Sequence, residues 1–144
     1  MNDPLLSRPI VGVGASIWKD GRVLLIRRGH PPRQGSWSLP GGRQELGETV
    51  YQAVEREIRE ETSLEINIID IVAVVDLIGR DESGGLSHHY TVIDVAAHWR
   101  AGEAVAGDDA MAVAWADPGD LSAFSLTPEV LRVIGVSAER LKTA

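Results

Sequence analysis

Apolar residues along the chain recur with two spacings, and each change of spacing marks an element boundary. Ile10 to Trp18 is a run of small and β-branched residues and predicts a strand. Asp20-Gly21 is a tight-turn dipeptide, after which Arg22 to Arg28 predicts a returning strand. Gly29 to Gly35 carries Pro31 and Pro32 and is expected to be a loop. Ser36 to Leu39 is short and extended, because Pro40 keeps Leu39 out of the helical region. The spacing then lengthens to that of a helix from Thr49 to about Thr62, opened by Thr49 and Gln52 as a capping box.

Ile66 to Ile78 returns to strand character, with a break expected near Asp70. Gly79 to Ser87 is polar and glycine-rich, His88 to Trp99 alternates as a strand, and Arg100 to Asp109 is a second polar loop. Met111 to Trp115 predicts a short strand. Thr127-Pro128-Glu129 caps and starts a final helix, which Gly135 is expected to end. No repeat or linker interrupts this order. Interleaved strands and helices imply an α/β fold with a mixed sheet.

On the central helix three glutamates depart from the ordinary pattern. Glu57, Glu60 and Glu61 stand at i, i+3 and i+4 and share one face. Val50, Tyr51, Val54 and Ile58 form an adjacent apolar arc, and Gln52, Glu55 and Arg59 take the rest. Clustered carboxylates repel one another, at a few tenths of a kcal/mol per pair. They are also the hard oxygen ligands that Mg²⁺ or Mn²⁺ requires, and Gly41-Gly42 lets main-chain carbonyls approach the same ion. Taken alone, the cluster is better explained as a solvated acidic face.

Composition narrows the chemistry. A chain of 144 residues suits one domain, expected to span 1–144. It has no cysteine, so disulfides and thiolate metal sites are excluded. A net charge of −7 disfavours nucleic acid or an anionic membrane as partner. Met1 to Pro9 lacks the form of a signal peptide, and no apolar run approaches the ~20 residues of a spanning helix. A cytoplasmic location is expected. A small phosphate substrate is not excluded, because a bound cation can bridge acid to phosphate, and a homodimer is left open.

The full spacing decides the meaning of the glutamates. Gly42, five residues, Glu48, seven residues, Arg56-Glu57-Ile58-Arg59-Glu60-Glu61, then Ser63-Leu64 closely resembles the signature box of the Nudix hydrolases. Ser63 stands where the family has glycine, just past the helix, where a left-handed conformation is favoured. Trp37 to Gly42, Gly107 to Ala110, Trp115-Ala116 and Leu126 to Pro128 resemble a bacterial subgroup called ADP-ribose pyrophosphatase-like.

The resemblance implies an α/β/α sandwich around a mixed sheet, and metal-dependent cleavage of the pyrophosphate bond in a nucleoside diphosphate derivative such as ADP-ribose. It implies Glu57, Glu60 and Glu61 as metal-binding and catalytic acids, Glu57 alternatively as the base. It implies the Gly42 carbonyl as a further ligand, Arg56 as an orienting partner beside Glu48, and Mg²⁺ or Mn²⁺ as cofactor. Outside the box, Arg27, Arg28 and Asp109 are candidate substrate contacts; Asp108 competes with Asp109, and His30 is a weaker candidate. Trp18, Trp37, Trp99 and Trp115 are core residues or base-stacking rings, and the adjacent His88 and His89 point to opposite strand faces, a poor metal pair. Two rival functions remain: sanitation of oxidised nucleoside triphosphates, and a non-catalytic ligand-sensing domain. Intact box acids argue against the latter, and the acidic balance argues against RNA cap removal.

Overall fold

A computed structural model describes residues 7–30, 33–107 and 110–144. β1 (Ile10–Lys19) and β2 (Arg22–Arg28) form an antiparallel pair. The turn between them holds Asp20 and Gly21 at positive φ, which suits its aspartate and glycine. β3 (Trp37–Ser38) adds to β2, and β4 (Gly41–Arg43) pairs with the first half of β1. Helix α1 (Val50–Thr62) follows. β5 (Glu65–Arg80) and β6 (Leu86–Ala101) form a long hairpin, and β7 (Ala110–Ala116) pairs with β2. A 3-10 segment, Pro118–Phe124, leads to helix α2 (Pro128–Lys142). The sheet is mixed, because β1 and β6 run parallel while the other pairs are antiparallel.

Both faces of the sheet are covered, so the central strands are apolar on both sides. Val13, Ala15 and Ile17 of β1 and Leu24 of β2 pack under Ala53, Val54 and Ile58 of α1. Trp18, Val23 and Leu25 pack on the opposite face with Leu126 and Ile134. Trp18 Nε1 donates to Ser137 Oγ of α2 at 2.8 Å, which satisfies its polar end inside the second core. This is the sandwich that the resemblance implies. Among the described residues no helix is long and apolar enough to cross a membrane.

Several boundaries differ from the sequence expectation. β5 is not broken at Asp70; it passes through with register shifts between Ile68 and Asp70 and between Ile71 and Ala73, because a bulge relieves the pairing without ending it. The polar loop after β5 is shorter than its composition suggests, since pairing along the hairpin recruits Gly79, Arg80, Leu86 and Ser87. α2 does not end at Gly135. Val133, Ile134 and Ser137 are buried along one face, and this packing offsets the roughly 1 kcal/mol cost of a mid-helix glycine.

α1 begins as expected: Thr49 Oγ1 accepts from Gln52 N at 3.1 Å, and Gln52 Oε1 accepts from Thr49 N at 2.9 Å. It ends on Ser63 with φ 65° and ψ 15°, the left-handed region, its N–H bonded to the Arg59 carbonyl. Serine there costs free energy that glycine avoids. Ser63→Gly is therefore expected to stabilise the protein by about 1 kcal/mol, with unchanged rate constants. Thermal melting checks it, and a lower Tm for the glycine variant would contradict the strain.

Candidate active site

The buried face of α1 fixes where its acids point. Ala53, Val54 and Ile58 are anchored in the core, so Glu57 and Glu61 are turned toward β4. β4 has little intrinsic strand preference in Gly41-Gly42-Arg43, but its pairing with Gly12 to Gly14 of β1 brings its backbone beneath the helix. A Cβ at Gly42 would overlap the Glu57 carboxylate, so that carboxylate lies directly against the main chain. Gly41 N–H donates to Glu61 Oε1 at 3.0 Å. Gly42 thus admits one acid and Gly41, just before the box, binds another.

Arg56 organises the remaining acids. Its Nε and Nη2 donate to the two oxygens of Glu48 at 2.6 and 2.9 Å, a bidentate pair. Its Nη1 donates to Glu57 Oε1 at 2.8 Å and to Glu60 Oε2 at 3.2 Å, and Nη2 also donates to the Arg43 carbonyl at 2.8 Å. The hydrogen bonds to Glu48 foremost, and those to Glu57, raise the Arg56 pKa and keep it charged. The same bonds hold the Glu48 carboxyl below its ordinary range, helped by the Glu45 backbone N–H. One cation therefore ties Glu48 to Glu57 and Glu60 of the helix.

A divalent cation fits this donor set. The ligands on offer are carboxylate oxygens and a main-chain carbonyl, which suit Mg²⁺ or Mn²⁺, and Gly42 has no side chain to block the approach. The acids do not form a closed cage: among the described residues no three converge on one point. Glu57, 19% exposed, and Glu60, 62% exposed, are both drawn to Arg56. Holding an ion requires their carboxylates to turn away from that guanidinium.

The two arginine candidates sit at the end of β2. Arg27 at the end of β2 donates from Nε to the Gly35 carbonyl at 2.8 Å and so holds the following loop. Arg28 N–H donates to the Ser36 carbonyl at 2.8 Å in the same turn. Asp108 and Asp109 lie outside the described residues. The N–H of the preceding Gly107 donates to the Glu61 carbonyl at 2.8 Å, at the end of α1. The tryptophans sit in packed surroundings: Trp37 meets Phe124 edge-on at 5.1 Å, and Lys19 Nζ lies 4.1 Å from the Trp99 ring centre.

Three residues escaped the sequence reading. Arg43 reaches from β4 to Tyr90 of β6, with Nη2 donating to the Tyr90 hydroxyl at 2.8 Å. Asp94 of β6 is only 7% exposed and is pushed up to about 6, by burial against the weaker opposing influence of Arg132. The signal was present as Gly12-x-Gly14 on β1 and one acid in the apolar run Val92 to Ala97. Only the parallel register, which sets Gly14 beside Asp94, joins the two.

Comparison with known proteins agrees with this geometry. The family model for the NUDIX domain matches residues 8–134. The ADP-ribose pyrophosphatase of Methanocaldococcus jannaschii is 38% identical over 125 residues, covering 87% of this chain and 72% of that protein. The crystal structure of a MutT NUDIX hydrolase from Burkholderia pseudomallei superposes with a TM-score of 0.77 at 36% identity, covering 90% of this chain and 98% of the other. The NUDIX domain of Shewanella oneidensis NrtR, solved in complex with ADP ribose, gives a TM-score of 0.73 at 25% identity, covering 96% and 93%. The box on α1, the mixed sandwich and these likenesses agree, and the chain belongs to the Nudix family as a pyrophosphohydrolase acting on nucleoside diphosphate derivatives.

Proposed function

We propose that the substrate is ADP-ribose or a close relative, cleaved at its diphosphate bond with a divalent cation held by Glu57, Glu60, Glu61 and the Gly42 carbonyl. The observation that carries the reading is the contact of the Glu57 carboxylate with Gly42, beside Arg56 bonded to Glu48, Glu57 and Glu60. The likeness to the archaeal ADP-ribose pyrophosphatase supports the choice of substrate. A modest charge argument agrees. ADP-ribose brings about two negative charges and a nucleoside triphosphate about four, and a chain of net charge −7 has less to compensate with the former.

When bound, Mg²⁺ or Mn²⁺ supplies neutralisation of phosphate oxygens and acidifies a coordinated water. The chain supplies position and proton transfer. Arg56 bonds Glu48, Glu57 and Glu60 and so gathers them at one place, and β4 holds the Gly42 backbone against the Glu57 carboxylate. A box carboxylate accepts the proton of the attacking water, the role that falls to Glu57 where it is not engaged with the ion.

The test is a side-by-side measurement of kcat/KM with Mg²⁺ on ADP-ribose and on an oxidised guanine nucleoside triphosphate. AMP and ribose 5-phosphate are the expected products of the preferred ADP-ribose. A triphosphate cleaved about a hundredfold more efficiently, some 2.7 kcal/mol in transition-state binding, would replace this reading with nucleotide sanitation.

A further inference from the structure

We propose that the outer edge of β5 is a self-association surface, on which two copies of this chain pair antiparallel about Ile78 with Asp76 of each copy opposite Arg80 of the other. The proposal concerns assembly and stands independently of the substrate reading.

β5 ends the sheet. Among the described residues it pairs with β6 alone, so its outer row of main-chain N–H and C=O groups has no strand partner. Edge strands commonly protect themselves with bulges, charges or a covering element. The first part of β5 does so: its register shifts fall between Glu65 and Ala73, and Arg140 of α2 bonds Asp70 at 3.2 Å. The second part does not. From Ala73 to Gly79 each residue meets its β6 partner in unbroken register. This stretch is apolar and open to solvent, with Val74 59% and Ile78 52% exposed. Leu77 within it, and Ile71 and Leu86 beside it, are exposed as well. Large apolar side chains gathered on one element in this way mark a contact surface.

Two charges on the same stretch have no counter-charge within the chain. Asp76 and Arg80 form no ion pair with any described residue, and Arg80 Nη1 donates only to the Gly84 carbonyl in the turn, at 3.0 Å. They stand four residues apart on one strand face, about 13 Å, too far to meet each other.

Their spacing suits a second copy. A two-fold axis through an antiparallel pair sets one residue opposite itself and matches residues equally far on either side of it. Asp76 and Arg80 each lie two residues from Ile78. With Ile78 on the axis, Asp76 faces the partner's Arg80 at two places, and the two Ile78 side chains meet between these pairs on the same face. Directly opposed side chains stand about 5 Å apart at Cβ, within reach of an ion pair. Other centres are poorer. A centre on Asp76 opposes two carboxylates. A centre on Leu77 sets Asp76 and Arg80 against Ile78 and Val74. Centres nearer the start of β5 draw in its register shifts. The charge pattern about Ile78 is therefore self-complementary, which favours a second copy as the occupant and fixes the register. The paired strip is short, so the contact falls at the small end of specific interfaces and a Kd of about 10 µM is expected.

Sedimentation equilibrium of the full chain from about 1 to 200 µM tests the surface. Wild type is expected to pass from monomer to dimer over that range. Arg80→Asp and Asp76→Arg each set like charges opposite one another at two places and are expected to weaken the dimer about tenfold or more. The double variant Asp76→Arg/Arg80→Asp restores opposite charges at both places, and its Kd is expected within about threefold of wild type. An equimolar mixture of the two single variants is expected to dimerise for the same reason. Melting curves of dilute protein, expected unchanged, show that each variant is folded. A wild type that stays monomeric at about 200 µM would overturn the proposal. So would single variants that dimerise like wild type, or a double variant and a mixture that both fail to recover the dimer.

Discussion

Gly42→Ala will lower turnover by about a hundredfold or more while the protein stays folded. The added methyl group would overlap the Glu57 carboxylate, which now rests against the Gly42 backbone. Gly42 does not have the positive φ that would strain an alanine, and the group displaced is the far end of a flexible side chain. The carboxylate therefore moves at little cost in stability. Catalysis is less tolerant, because displacing a catalytic group by about 1 Å can cost on the order of 10²-fold in rate. Glu57→Gln should give a comparable loss with the side-chain shape retained, since it removes a ligand charge. Steady-state rates at limiting Mg²⁺ and thermal melts of both variants check this. Near-normal turnover in Gly42→Ala would show that the Glu57 carboxylate need not lie where it does.

Asp94→Asn will raise the stability of the protein at pH 7.5 by about 2–3 kcal/mol, and the gain will disappear near pH 4. The Asp94 carboxyl is lifted from an ordinary 3.8 to about 6, chiefly by burial, with Arg132 of α2 as the facing charge that lowers it. An acid with a raised folded-state pKa binds its proton more tightly when folded than unfolded. Stability contributed by this group is therefore complete below 3.8 and is lost as the pH rises through about 6. At about 1.4 kcal/mol for each tenfold change in proton affinity, the loss at neutral pH is near 3 kcal/mol. Asparagine carries no charge to desolvate and escapes that loss. The Tm difference between variant and wild type at pH 7.5 should be roughly 5–10 °C and should shrink to near zero at pH 4. An equal difference at both pH values would show that charge burial is not the cause.

The parts legible in the sequence are those specified by local rules. The α1 boundaries follow from the Thr49–Gln52 capping box and from the apolar spacing of Val54 and Ile58. Ser63 departs from the family glycine, and its left-handed backbone explains why glycine is favoured there. The bond from Arg56 to Glu48 is the pairing that their places in the box suggest. What was not legible depends on contacts distant in sequence. Gly41-Gly42-Arg43 has no strand character of its own and becomes β4 only because Gly12 to Gly14 offers a free edge. α2 runs past Gly135 because Ser137 lies against Trp18, a partner invisible from the helix sequence. Asp94 reads as one polar residue in an apolar strand until the parallel register sets it beside Gly14.

The claim at the centre of the account is that the glutamate face of α1 is a divalent-cation site. Mn²⁺ titration followed by electron paramagnetic resonance reads this without relying on turnover. Wild type should bind the ion and lose free Mn²⁺ signal. Glu57→Gln and Glu60→Gln should each weaken binding by about tenfold or more, as expected for loss of one of a few charged oxygen ligands, with unchanged melting curves. Equal Mn²⁺ affinity in wild type and both variants would contradict the assignment.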